Sequence, residues 1–191
     1  MMRRGSTTLQ QKEKGMHEDF VEVLLAKERA ASIPEEDDWY GGLIGEWEFE
    51  WVDHEGAPEE RHVQGEWLFA RALEGRAIVD LFICPSRKER KRSASSENEE
   101  YGLSIRTYSP QTHSWHVCHA SSGMPEQLVA IRESNGDIVQ TSAVDKGYVA
   151  VWRFSKLTAD SFCWTNRISE DGGKTWELVG EVFAKRRNLG C

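Results

Sequence analysis

The chain has 191 residues, of which 39% are hydrophobic and 29% are charged, a composition that excludes a disordered protein and suits one globular domain. Its 32 acidic and 24 basic side chains give a formal net charge of −8, which excludes a general attraction to nucleic acid or to anionic membrane. No apolar stretch reaches the length of a transmembrane helix.

The N-terminal region divides into a polar tail and one amphipathic helix. Residues 1–14 carry few apolar side chains, so we predict a disordered tail. From residue 16 to residue 31, apolar side chains recur at offsets that share one helix face, Met16, Phe20 and Leu24 among them. We therefore predict one helix over 16–31 and a single domain over 15–187.

The N-terminus and the cysteines predict a cytoplasmic protein. The first residues are basic but lead into polar residues rather than an apolar stretch, so we expect no signal peptide. The 4 cysteines are scattered without the CxxC spacing of a metal site, so we expect reduced thiols.

The stretch Glu46–Trp51 alternates acidic and aromatic residues, a pattern that is typical of a half-buried β-strand. Side chains of a strand point alternately to opposite faces, so Trp47, Phe49 and Trp51 share one face and the carboxylates share the other. Because the chain holds 8 tryptophans, this face predicts an interior lined by aromatic rings.

From residue 42 onward the sequence alternates short apolar runs with turn residues. Connections this short leave no room for crossover helices, so the strands must pair antiparallel. We prefer a closed barrel to a sandwich, because closure removes exposed strand edges. The predicted fold is all-β, an antiparallel meander β-barrel of about ten strands with one N-terminal amphipathic helix. The predicted strands are 44–52, 62–71, 76–84, 101–109, 114–120, 127–133, 137–144, 148–155, 161–168 and 175–184.

The segment 86–100 interrupts this rhythm, because it is basic, then rich in serine, then acidic. We predict a mobile charged loop. It is either merely solvated, or its basic half docks an anionic partner or covers the barrel mouth.

A second turn carries a recognisable pattern. Ser169, Asp171, Gly173 and Trp176 match the Asp-box known from sialidases, but a sialidase propeller needs several copies and a longer chain. Asp171 can accept hydrogen bonds from backbone amides of the turn, Gly173 allows unusual backbone angles, and we expect Trp176 to pack beneath. We interpret the pattern as a structural turn.

Histidines cluster once, at His113, His116 and His119, with Cys118 beside them. On a strand only His113 and His119 share a face, and they lie too far apart to chelate one ion, so we predict no metal and no cofactor. His119 follows two apolar residues of its own face and is expected to point inward. Histidine is the side chain most often used for acid–base catalysis, which makes His119 a candidate.

Several polar residues fall within apolar strands, where they must either pair internally or face water. They are Arg106, Tyr108, Arg132, Arg153, Asn166 and Arg167. Those that point inward could hold a carboxylate, enolate or carbonyl group of a ligand. The candidate catalytic residues are His119, Tyr108 and Arg106. The predicted ligand-binding residues are Phe49, Trp51, Trp67, Arg106, Tyr108, His119, Trp152 and Trp164.

Short patterns also carry a family resemblance. Gly45-x-Trp47 opens the first predicted strand and Arg186 or Arg187 follows the last, which resembles the calycin superfamily, where a late arginine covers an early tryptophan. The segments 75–80, 106–108 and 172–176 are similar to those of an uncharacterised bacterial lipocalin-like family of that superfamily. The resemblance implies a lipocalin-like barrel over roughly residues 40–187, with Trp47 as a structural plug.

Three hypotheses for function follow. The leading one is the binding of a small, largely apolar or aromatic molecule in the barrel cavity. The alternative is an isomerase, cyclase or dehydratase in the same cavity, with His119 or Tyr108 as acid–base group and Arg106 stabilising negative charge. The third is an interaction module that uses the loop 86–100, and it predicts a filled barrel. We expect no nucleic-acid or membrane partner, and a homodimer is left open.

Overall fold

The computed structural model describes residues 18–53, 58, 60–92, 99–121, 125–143 and 147–187. Within these residues the chain forms helix α1 over 18–24, a short helix α2 over Arg87–Arg90, and eleven strands. The strands are β1 Leu25–Ala26, β2 Gly45–Asp53, β3 Arg61–Ala72, β4 Ala77–Cys84, β5 Glu100–Ser109, β6 Ser114–Ala120, β7 Glu126–Arg132, β8 Ile138–Ser142, β9 Val149–Ser155, β10 Ser161–Ser169 and β11 Glu177–Arg186.

Strands β2 to β11 form a closed antiparallel barrel. Each strand pairs with the strands next to it in the chain, and β11 pairs with β2 to close the ring. The predicted ten-strand meander is confirmed, and the predicted strand ends agree with the observed ones to within two residues. The predicted inner face of β2 is also confirmed, since Trp47 and Phe49 are buried while Glu48 is exposed.

One end of the barrel, here called the plug end, is covered by residues 27–44. Tyr40 and Leu43 are fully buried there, and Trp47 Nε1 donates a hydrogen bond to the Leu43 carbonyl oxygen at 2.7 Å. The guanidinium carbon of Arg186 lies 4.1 Å from the centre of the Trp47 ring. The expectation that a late arginine covers Trp47 is therefore confirmed. The opposite end, where β2 ends and β3 begins, is called the far end.

The predicted helix over 16–31 is wrong in its second half. The helix ends at residue 24, and Leu25–Ala26 form β1, which pairs with the last two residues of β3. The reason is that β2 begins only at Gly45, opposite Phe69, so the end of β3 would otherwise present an unpaired edge. Phe20, on the predicted apolar face of α1, is 66% exposed.

Among the described residues, no helix has the length and hydropathy needed to cross a lipid bilayer.

The hairpin between β10 and β11 contains the turn that its sequence pattern predicts. Asp171 Oδ1 accepts hydrogen bonds from the backbone N–H groups of Lys174 and Thr175, both at 2.9 Å, and Gly173 has a φ of +93°. Trp176, the residue before β11, contacts the turn at Gly173, where an added Cβ atom would lie 3.6 Å from the indole ring. Its side chain is 40% exposed, and its Nε1 donates to the Gly173 carbonyl oxygen at 3.1 Å.

The predicted loop 86–100 is described in part and contains α2 rather than loop alone. Arg87 donates to Glu66 Oε2 of β3 from Nε at 3.0 Å and from Nη2 at 2.7 Å. Arg90 Nη2 donates to the carbonyl oxygens of Cys84 and Glu100, both at 2.9 Å. Two basic side chains of the segment therefore fasten its base to the barrel. The predicted tail 1–14 lies outside the described residues, as do residues 93–98 of this loop.

Candidate functional site

The barrel interior is lined by aromatic side chains that contact one another. The Trp67 ring centre lies 5.0 Å from that of Phe82 and 5.7 Å from that of Trp164. Trp51 lies 5.8 Å from Phe82 and 6.0 Å from Trp164, so rings from strands that are not neighbours meet across the interior. Trp51 and Trp152 are only half-buried, whereas Trp67 and Trp164 are buried.

The interior contains a buried ion pair between Arg106 and Asp80. Arg106 is 1% exposed, and its Nη1 donates to Asp80 Oδ2. The second oxygen, Asp80 Oδ1, accepts from Trp67 Nε1 at 2.7 Å. Burial lowers the pKa of Arg106, against the opposing influence of the Tyr40 hydroxyl. The predicted anion-binding guanidinium therefore already has a carboxylate partner within the chain.

Nearer the far end, His119 lies between two polar residues of β5. Its Nδ1 is 3.0 Å from Ser104 Oγ, and its Nε2 is 3.4 Å from Glu100 Oε1. A Cβ atom on the intervening Gly102 would lie 2.5 Å from the imidazole Cε1, so the absence of a side chain there makes room for the ring. The ring also meets Trp152 edge-on at 5.1 Å between centres. The inward orientation expected for His119 is thus observed.

Four side chains of β8, β9 and β10 carry buried polar atoms that have no hydrogen-bond partner. These atoms, the unpaired polar cluster, are Gln140 Nε2, Trp152 Nε1, Trp164 Nε1 and Asn166 Oδ1. Their residues are contiguous on the inner face, because Trp152 pairs in register with Gln140 on one side and with Asn166 on the other. The Trp152 and Trp164 ring centres are 5.7 Å apart. Unpaired buried polar atoms are uncommon in folded proteins and call for a partner.

Tyr108 lies at the plug end, away from the other candidates. Its hydroxyl donates to Asp37 Oδ2, and His113 Nδ1 lies 3.0 Å from the same oxygen. The hydrogen bond with Asp37 raises the pKa of Tyr108 to about 12, and the same bond lowers the pKa of Asp37. Ser104, which contacts His119, is four residues away along β5, a distance of about 13 Å. Tyr108 and His119 are therefore not brought together.

The remaining polar candidates lie outside the interior. Arg132 and Arg167 are exposed, and Arg153 Nη1 donates to Glu133 Oε2 and Asp137 Oδ2, both at 2.7 Å. Among the described residues, no group of three or more histidine, cysteine or acidic side chains has the geometry to hold a metal ion.

Sequence reasoning missed several interior polar residues. Asp80 and Ser104 belong to the buried polar set, as does Gln140, and each shares the parity of buried neighbours on its own strand. That parity is the signal that could have found them: Gln140, for example, lies midway between Ile138 and Ser142, which are both buried.

Comparison by sequence finds no matching protein-family profile and no matching curated protein. Comparison by structure finds the S-type phycobiliprotein lyase CpeS from Guillardia theta, with a TM-score of 0.56 and 12% identity over 81% of this chain and 93% of that one. It also finds Rv2717c from M. tuberculosis, with a TM-score of 0.56 and 10% identity over 84% of this chain and 100% of that one. The shared fold is a lipocalin-like β-barrel. At these identities the similarity concerns the fold alone.

The lipocalin-like barrel therefore has two polar layers within an aromatic interior. One layer is the ion pair of Asp80 and Arg106, whose charges balance each other and whose Arg106 Nε has no hydrogen-bond partner among the described residues. The other layer contains His119 with its two partners and the unpaired polar cluster, whose Gln140 also accepts a hydrogen bond on Oε1 from the plug-end Tyr40 hydroxyl at 3.3 Å. Chemically, the second layer presents unpaired hydrogen-bond donors and one imidazole to the interior.

Proposed function

We propose that the barrel binds a small, largely apolar or aromatic molecule in the part of its interior nearer the far end. The observation that carries the proposal is the unpaired polar cluster within an aromatic lining. Ligand sites are typically apolar with a few convergent polar groups, and buried polar atoms normally have a partner. Trp152 and Asn166 are half-buried, which brings the cluster within reach of the far end.

The proposed contacts refine the predicted set of binding residues. Phe49, Trp51, Trp67, Trp152 and Trp164 remain proposed aromatic contacts, and His119 remains a proposed polar contact. Arg106 and Tyr108 are bonded to Asp80 and Asp37, so we do not assign them to the ligand. The fold supports the proposal because a neighbour of the same architecture is named as a phycobiliprotein lyase.

The close contacts between the rings set a condition on binding. Because Trp51 touches Phe82 and Trp164, a guest of aromatic size must displace at least one half-buried ring toward the far end. Trp152 is the other half-buried ring, and its indole N–H has no partner to lose. Displacement of these two side chains therefore breaks packing contacts but no side-chain hydrogen bond of Trp152.

Titration with N-phenyl-1-naphthylamine, an apolar fluorescent probe, tests this proposal. We expect the probe to quench tryptophan emission with one-site saturation, because several tryptophans line the proposed site. The variant Trp152→Phe should lose part of the quenching. The control Trp176→Phe, which changes an exposed ring of the outer hairpin, should keep the binding curve unchanged. Absence of saturable quenching across a varied panel of apolar probes would contradict the proposal.

An acid–base enzyme in the same barrel is the second candidate function, and the position of His119 favours it. The imidazole lies on the inner face between a hydroxyl and a carboxylate, an arrangement suited to proton transfer during an isomerisation, cyclisation or dehydration. Native mass spectrometry of protein purified from its own host separates the two functions. A binding protein should retain the same molecule in the wild type and in His119→Gln, whereas an enzyme should retain an unconverted molecule of different structure in the variant.

A further inference from the structure

We infer that the bound molecule presents a neutral hydrogen-bond acceptor, such as a ketone, amide or lactam carbonyl, to the unpaired polar cluster, and that carboxylates and phosphates are disfavoured. This inference rests on the proposed function and names the class of ligand. It differs from the sequence-based expectation that an inward arginine would hold an anionic group.

The unpaired polar cluster consists mainly of hydrogen-bond donors, so a complementary ligand carries an acceptor. Three of its four atoms are N–H donors, on Gln140, Trp152 and Trp164, and one is the amide oxygen of Asn166. Gln140 is 0% exposed and Trp164 is 6% exposed, so water has little direct access to their nitrogens. A carbonyl oxygen has two lone pairs and can accept from two donors at once. An acceptor-bearing guest therefore matches the majority of the cluster.

The charges of the interior argue against an anionic guest. Arg106 is the only lysine or arginine among the described buried residues, and Asp80 already balances its charge. The two ring nitrogens of His119 face Ser104 and Glu100. A carboxylate moved into this interior would lose its hydration without gaining a free cation.

The far-end side of the interior adds repulsion to this lack of a cation. Glu100 and Glu126 share the inward parity of His119, since Glu126 pairs in register with His119. Glu126 also accepts a hydrogen bond from the Tyr148 hydroxyl. Two carboxylates at this level oppose the approach of a third negative group, which is a common way of building specificity.

Three naphthalenes with the same ring test the inference: 2-acetylnaphthalene as the ketone, 2-naphthoate as the carboxylate and 2-ethylnaphthalene as the hydrocarbon. Equilibrium dialysis at neutral pH measures their affinities without relying on tryptophan emission. We expect the ketone to bind roughly tenfold or more tightly than the carboxylate, because only the carboxylate carries an uncompensated charge.

The variant Trp164→Phe isolates the hydrogen bond, because it removes the indole N–H and keeps an aromatic ring. It should lower the affinity for the ketone by about three- to tenfold, as expected for the loss of one hydrogen bond. The affinity for the hydrocarbon should change by less than about twofold. Trp176→Phe, on the outside of the barrel, should change neither affinity.

The outcomes separate this inference from the proposed function. If none of the three compounds binds, the proposed function fails and the ligand class fails with it. If the carboxylate binds as tightly as the ketone, the inference is overturned while the binding function stands. The same holds if Trp164→Phe weakens the ketone and the hydrocarbon equally, since the ring rather than the N–H would then be responsible.

Discussion

Arg106, a candidate ligand-binding residue, forms a buried ion pair with Asp80. The two side chains lie diagonally on neighbouring strands, and both are almost completely buried. Asp80 also accepts a hydrogen bond from Trp67, so both of its oxygens are used. A guanidinium in such a pair has its charge balanced within the core, although its Nε has no hydrogen-bond partner among the described residues.

We expect Asp80→Asn to lower the free energy of unfolding by about 3–5 kcal/mol, because the Arg106 charge would remain buried without a carboxylate. Urea denaturation followed by tryptophan emission measures the change. The double variant Asp80→Leu/Arg106→Met removes both charges and should be clearly more stable than the single variant. If the single variant is as stable as the double variant, the pair does not have this role.

Local hydrogen bonds to Asp171 stabilise the turn of the β10–β11 hairpin. Asp171 accepts hydrogen bonds from the backbone and hydroxyl of Thr175 and from Ser169 Oγ. The bonds from Thr175, followed by the bond from Ser169, lower the pKa of Asp171 to about 2. Because these bonds favour the ionised carboxyl, the turn is stabilised above the ordinary pKa of 3.8 and loses that stabilisation as the pH falls toward 2.

We therefore expect the backbone amide resonance of Thr175 to keep its position down to about pH 3, where an ordinary aspartate is already largely protonated. An NMR titration of the folded protein measures this. In Asp171→Asn the Thr175 resonance should lie at a different chemical shift at neutral pH. Its position should then no longer change as the pH is lowered. A wild-type midpoint near pH 4 would contradict the lowered pKa.

Closure of the whole barrel depends on contacts that join distant parts of the chain. Arg186 covers Trp47 and donates hydrogen bonds to the carbonyl oxygens of Gly42 and Ile44, both at 2.8 Å, and of Ala159 at 2.6 Å. One side chain thus ties the last strand to the plug segment and to the β9–β10 connection.

Arg186→Lys should lower the free energy of unfolding by about 2 kcal/mol, because lysine keeps the charge but cannot reach three carbonyl groups with a planar fork. Arg187→Lys is the matched control. Its side chain makes longer ion pairs, with Glu46 at 3.4 Å, Glu48 at 3.6 Å and Glu66 at 3.9 Å, so we expect a change below about 0.5 kcal/mol. Equal losses in the two variants, measured by urea denaturation, would contradict the role of Arg186 in closure.

The fold and part of the site could be predicted because alternation is a local property of a strand. Trp47, Phe49 and His119 face inward as their neighbours imply, and the strand ends follow the turn residues. The end of α1 could not be predicted in this way. Leu25 leaves the helix because β3 offers it an unpaired edge, and that edge is set by the register between β2 and β3, which lie far along the chain from α1.

By itself, the sequence determined the ten-strand meander and its aromatic inner face, since both depend on residues a few positions apart. The resemblance predicted a late arginine over Trp47 but left Arg186 and Arg187 open, and the structure selects Arg186. Only the tertiary structure decided which inward polar groups have partners. Arg106 meets Asp80 because β4 and β5 pair in one register. Four single atoms, Gln140 Nε2, Trp152 Nε1, Trp164 Nε1 and Asn166 Oδ1, lie together without partners because β8, β9 and β10 lie side by side. Strand parity gives the direction of a side chain, but register and closure bring the atoms together.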